Sequence, residues 1–120
     1  MIQSYKDLKV YEKSYRLAIE MYQRMKDLPR EELYGLISQI KRAATSIPLN
    51  IAEGYGKRES EKEFKRFLMM AQGSCDEMHV LLDICRDLGY IRQEDYQEAY
   101  KRYDEVGKML SGLITKWQQF

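Results

Sequence analysis

Residues Leu36–Gly54 read LISQIKRAATSIPLNIAEG, and the rest of the chain is organised around them. On a helix, Leu36, Ile40, Ala43, Ile47, Ile51 and Gly54 recur at steps of four and three and form one apolar stripe. Gln39, Arg42, Ser46, Asn50, Glu53 and Lys57 follow the same steps, about 60–100° further round the axis. A solvated face would be richer in Lys and Glu. Mid-sized polar groups bordering a core stripe predict buried hydrogen bonds or a subunit contact, with Asn50 and Glu53 at least partly buried. Pro48 sits inside the stretch, where it removes one intrahelical hydrogen bond and presses on the carbonyl of Ala44. Both stripes keep phase across it, so the expectation is one helix kinked at Pro48 rather than two helices.

Outward from this stretch the chain reads as three more helices. Helix one is expected from Tyr5 to Lys26, with Ser4 as N-cap and Asp7 completing a capping-box-like pair. Leu8, Tyr11, Tyr15, Ala18, Tyr22 and Met25 form its stripe, widened by Val10, Leu17 and Met21. At helical spacing the tyrosines read as core or interface residues rather than a base-stacking platform. Leu28-Pro29 ends this helix. Helix two is expected to start directly after Pro29, with Glu31 and Glu32 in its first turn and Gly35 weakening it, and to run to Tyr55.

Helix three is expected from Glu61 to Leu88, capped by Ser60, with Gly89 at C′. Phe64, Leu68, Ala71, Cys75, Met78, Leu82 and Cys85 alternate steps of four and three, the seam of a bundle helix. Phe67, Met70, Leu81, Ile84 and Leu88 make a second stripe, and Gly73 and Ser74 are small enough for a close helix approach. Helix four is expected from Gln93 to Gln118. Its seam is Tyr96, Tyr100, Tyr103, Gly107, Leu110, Ile114 and Trp117, beside a second stripe of Ala99, Val106, Leu113 and Phe120. Trp117 is expected against helix one. Connections of about four to six residues favour antiparallel neighbours. The fold class is therefore all-α, an up-down-up-down four-helix bundle forming a single domain over residues 1–120. Three helices carry wider apolar stripes than a monomeric bundle needs, which argues for subunit contacts.

The composition narrows the function classes. Basic and acidic residues number 20 and 19, a net charge of +1 that does not by itself imply nucleic acid. Cys75 and Cys85, ten residues apart on one helix, would lie about 15 Å apart along its axis, too far for a disulfide. They read as buried free thiols of a cytoplasmic protein. The first residues form no apolar signal region, and no apolar run reaches membrane-spanning length. His79 is the single histidine and reads as a hydrogen-bonded structural residue. There is no Cys-x-x-Cys and no Gly-rich phosphate loop, and Asp76 with His79 at i, i+3 gives only one partial arm of a di-iron site, with no second helix to complete it. The expectation is no catalysis, no metal, no cofactor and no small-molecule substrate.

Charge is uneven along the predicted bundle. Residues 1–13, 50–68 and 108–120, which share one end, carry ten basic and six acidic groups, net +4. Residues 22–36 and 76–100 at the other end carry five and ten, net −5. Lys57, Arg58, Lys62, Lys65 and Arg66 make the basic end a candidate nucleic-acid-binding site. The competing reading has Lys57 and Arg58 complementing a helix dipole while the others pair with Glu59, Glu61 and Glu63.

Three pieces of sequence carry a resemblance: YKDLKVYEKSYRLAIEMY, GLISQIKRAATSIPLNIAEGYGKRESEKEFKRFLMMAQGSCDE and LLDICRDLGYI. Together they resemble the four-helix-bundle proteins encoded in intervening sequences of bacterial 23S ribosomal RNA genes. That family is similar to the accessory proteins (accessory variability determinants) of diversity-generating retroelements. The most specific string is RAATSIPLNIAEG, with Arg42, Ser46, Pro48, Asn50, Glu53 and Gly54 as its structural motif. The resemblance implies a barrel-like homo-oligomer, a pentamer, and binding of RNA or a reverse transcriptase. It implies no catalysis. Two functions follow as expectations: a nucleic-acid-associated scaffold, or a protein-interaction module that oligomerises without nucleic acid.

Overall fold

A computed structural model describes residues 1–117. Four helices, α1 (Lys9–Arg24), α2 (Leu36–Gly56), α3 (Glu61–Asp87) and α4 (Gln93–Lys116), run up, down, up and down, and no strand occurs among the described residues. The bundle measures 49 × 25 × 21 Å. Gln118 and Phe120, expected at the end of the fourth helix, lie outside the described residues.

The longest helix, α3, ends where local chemistry says it should. Ser60 Oγ accepts from the Glu63 backbone N–H at 3.1 Å and caps α3. At the far end Gly89 takes φ +76°. The N–H of Tyr90 then donates to the Cys85 carbonyl at 2.8 Å and that of Gly89 to the Arg86 carbonyl at 3.0 Å. This is a Schellman closure, which needs a residue comfortable at positive φ.

Two helix starts differ from the expected ones. Ser4 and Asp7 do form a capping box, but it closes only a 3-10 turn, Tyr5–Asp7. Leu8 is extended, buries its side chain, and α1 begins after it. Likewise Arg30–Glu32 form an isolated 3-10 turn, and Gly35 (φ −113°, ψ −107°) breaks the chain before α2 starts at Leu36. The α1–α2 connection therefore spans residues 25–35, longer than expected. Tyr90 from the α3–α4 turn fastens it by donating to Glu32 Oε2 at 3.0 Å. Downstream, α2 runs through Pro48 as a single helix.

The core confirms the α3 seam residue by residue: all seven of its positions are buried. On α4 the buried line is Tyr96, Ala99, Tyr103, Val106 and Leu110, which mixes the two expected stripes. On α1 the inward line is Val10, Ser14, Leu17 and Met21, with Ala18 beside it. Of the expected stripe, Leu8, Ala18 and Met25 are buried, whereas Tyr15 is 49% and Tyr22 43% exposed. Ser14 takes a core place that the pattern did not assign. Its hydroxyl donates to the Tyr11 carbonyl at 3.0 Å, so a polar residue satisfies itself locally and can occupy a core position that a hydropathy pattern passes over.

Small residues set the α2–α3 distance, but at Gly54 rather than Gly73. A Cβ at Gly54 would lie 2.8 Å from Phe67 Cβ and 3.1 Å from Phe64 Cδ1, whereas one at Gly73 meets nothing within 4 Å. Trp117 also departs from expectation. It packs edge-on against Phe64 of α3, ring centroids 4.7 Å apart, instead of against α1. Phe64 is fully buried between Tyr55 and Trp117 and locks the end of the bundle where α2, α3 and α4 meet.

Candidate functional site

Three features could carry function: the polar band on α2, the cations beyond its C-terminus, and the outer face of α1. The polar band is a hydrogen-bonded relay only at its centre. Asn50 Nδ2 donates to the Ser46 carbonyl at 2.8 Å and to Ser46 Oγ at 2.9 Å. Ser74 on α3 donates to the same hydroxyl at 2.9 Å. Asn50 is half-buried and Ser74 buried, and the relay ties α2 to α3 at Ser46, two residues before Pro48. Asn50 satisfies the Ser46 carbonyl, not the Ala44 carbonyl opposite the proline ring. Gln39, Arg42 and Glu53 are exposed. Glu53, expected to be partly buried, points to solvent although its neighbour Gly54 packs closely on α3.

The five cations do not form one free cluster. Lys65 Nζ pairs with Glu61 at 3.1 Å, and Arg66 forks onto Glu63 with contacts of 3.0 and 3.2 Å. Arg66 in turn holds the Glu63 carboxyl below the usual range. These are the pairs that the competing reading anticipated for Lys65 and Arg66. Arg58 donates to the Tyr55 carbonyl at 3.0 Å and lies 4.1 Å above that ring, so it closes the end of α2. Lys57 is the C-cap residue of α2 and sits 5.8 Å from the Phe67 ring. Lys57, Arg58 and Lys62 make no ion pair among the described residues.

The outer face of α1 was legible only as an apolar surplus. Tyr11, Tyr15, Ile19 and Tyr22 from α1 face Pro48, Leu49 and Ala52 of α2 across an open groove of about 370 Å³. Leu49 is 60% exposed. Tyr11 stacks on Tyr15 at 5.9 Å and meets Tyr5 edge-on at 4.9 Å, so the wall is a row of touching rings. Lys41 lies 4.8 Å above Tyr22. The same proline that interrupts the hydrogen bonding of α2 floors this groove, which joins the α2 motif to the α1 surface.

The arrangement matches a family. The one described as 23S rRNA-intervening sequence protein covers residues 6–112. The chain belongs to that family. A crystal structure of a protein of unknown function from the S23 ribosomal protein family of Bacteroides thetaiotaomicron superposes with a TM-score of 0.81 at 28% identity. The match covers 89% of this chain and 96% of that one. No curated protein matches the chain. The family match reaches well into α4, beyond the three pieces that carried the resemblance, the last of which ends at Ile91.

Among the described residues no three His, Cys, Asp or Glu side chains are grouped to hold a metal, and no helix is long and apolar enough to cross a membrane. Cys75 and Cys85 are free and buried. Burial pushes their thiols up to about 12 and about 11, which makes them poor nucleophiles. His79 does not take the expected hydrogen bond. Its Nε2 is buried without a partner, and its ring lies on Tyr100 with centroids 4.2 Å apart.

Proposed function

We propose that this member of the 23S rRNA-intervening sequence family is a non-catalytic cytoplasmic scaffold. Copies of the chain assemble into a ring, a homopentamer, and the ring holds RNA or an RNA-bound reverse transcriptase. The observation that carries the assembly is the aromatic groove between α1 and α2, an exposed apolar surface. The likeness to retroelement accessory proteins supports the partner. In a ring with bundles aligned, Lys57, Arg58 and Lys62 recur with every subunit, so a chain of net charge +1 acquires a basic rim. Free buried thiols suit a reducing compartment.

Light scattering at micromolar concentration tests the first half, with an expected mass five times the 14.4 kDa chain. A clean monomer overturns it. Gel shifts at two salt concentrations test the second half. Single-strand RNA binding should weaken by about 0.7 log units per log unit of salt for each phosphate contact. It should vanish in the Lys57→Glu/Arg58→Glu/Lys62→Glu variant while assembly persists. Equal binding by variant and parent, or none by either at low salt, leaves the protein-interaction module. The pairing of Lys65 with Glu61 and Arg66 with Glu63 favours that second reading.

A further inference from the structure

The groove on α1 and α2 is not the only unpartnered apolar surface. Met70, Val80, Ile84 and Leu88 lie along the outer side of α3, with Val80 58% exposed. Gly73 lies among them with open space above it. We infer that copies of the chain join through these two different surfaces: the α1–α2 groove of one copy receives the outer ridge of α3 from the next, with the bundles parallel. This rests on the assembly proposed above and names what fills the groove.

Shape and charge both favour this pairing. A groove between two helices accepts a helix ridge, whereas two grooves facing each other would leave the space between them empty. Towards the C-terminus of α1 the groove continues into a second hollow of about 370 Å³ that shares Ile19 and Tyr22. Its wall contains Lys26, Arg30 and Lys41 and no carboxylate. None of these three cations is in an ion pair among the described residues. From Asp76 to Asp87, α3 carries four acids and one cation. That cation, Arg86, pairs with Asp83 and Asp87, while Asp76 and Glu77 are exposed and form no ion pair among the described residues.

The basic hollow and the acidic half of α3 lie towards the same end of the bundle, where Tyr90 binds Glu32. Parallel copies therefore bring opposite charges together. Antiparallel copies would lose that match and set Lys62, which makes no ion pair among the described residues, towards Lys26, Arg30 and Lys41, with Lys65 and Arg66 already held by Glu61 and Glu63; like charges across an interface are disfavoured. Each copy then donates one surface and receives another. That is a head-to-tail contact, which closes into a ring when the rotation permits. Parallel stacking also puts every α2–α3 junction on one rim.

Size-exclusion chromatography with light scattering tests the pairing, and circular dichroism checks that each variant keeps its helices. Val80→Arg, Asp76→Lys/Glu77→Lys and Lys26→Glu/Arg30→Glu all alter exposed positions. Each is expected to fall from the parent mass to the 14.4 kDa chain. Combining the two charge swaps restores opposite signs across the contact, and the four-site variant is expected to regain the parent mass. An assembled parent whose α3 variants keep its mass overturns this pairing alone. So does a four-site variant that stays monomeric. A monomeric parent overturns the assembly reading and this pairing together.

Discussion

Replacing Gly54 by alanine separates what helix propensity favours from what packing forbids. In a helix interior, alanine is better than glycine by about 0.8–1 kcal/mol. At Gly54, however, the new Cβ would stand 2.8 Å from Phe67 Cβ and 3.3 Å from the Phe64 carbonyl oxygen. Carbon atoms prefer about 3.5–4.0 Å. Phe67 Cβ is fixed to its backbone, so no side-chain rotation relieves the clash and α2 must move off α3 by the better part of 1 Å. Overpacking of this kind costs about 1–3 kcal/mol. Here the displaced surface includes fully buried Phe64 and the Ser46–Ser74 hydrogen bond, which points to the upper part of that range. After the propensity gain, Gly54→Ala is expected to destabilise the protein by about 1–2 kcal/mol, or about 4–8 °C in Tm. Gly107 on α4 is the control, because a Cβ there meets nothing within 4 Å. Gly107→Ala should stabilise by about 0.5–1 kcal/mol. Urea unfolding at one fixed protein concentration measures both. A Gly54→Ala midpoint at or above that of the parent would refute the close approach of α2 and α3.

Other perturbations test the remaining elements. Ser46→Ala strands the buried Ser74 hydroxyl and removes one Asn50 bond, so it should cost about 1–3 kcal/mol in denaturant unfolding. Glu53→Ala, at an exposed position, should stay within about 0.5 kcal/mol of the parent. A Ser46→Ala midpoint equal to the parent's would count against the relay. The raised thiols of Cys75 and Cys85 predict that a disulfide reagent at pH 8 labels neither until the protein unfolds. Rapid labelling of the folded chain would contradict their burial. The backbone N–H groups of Gln3 and Ser4 hold the Asp7 carboxyl below its ordinary 3.8. A depressed folded pKa means that the turn's stabilisation is present above the ordinary value and lost as pH falls through the lower folded one. The Ser4 amide resonance should therefore titrate below the ordinary aspartate range, and should stop titrating in Asp7→Asn.

The sequence alone determined what depends on neighbours along the chain. Four amphipathic segments, the Ser60 cap, the Gly89 stop and the α3 seam follow from periodicity and local hydrogen bonding, which act within a few residues. The continuity of α2 across Pro48 was readable for the same reason, since both stripes keep their phase. The family likeness was readable in RAATSIPLNIAEG and its flanks. Tertiary structure decided everything that depends on which helix lies opposite. Wide stripes on α1 did not say which side faces inward. That turned on Ser14, a polar residue whose local hydrogen bond makes it fit the core. The choice of Gly54 over Gly73 for the close approach required the position of Phe67 on the neighbouring helix. The pairs of Lys65 with Glu61 and Arg66 with Glu63 stood in the sequence as one of two readings, because they are neighbours on one helix face; the side-chain geometry chose between them. The groove exists in no single segment. It forms because Pro48, Leu49 and Ala52 of α2 come to stand beside the tyrosines of α1, and a linear pattern carries no measure of that distance.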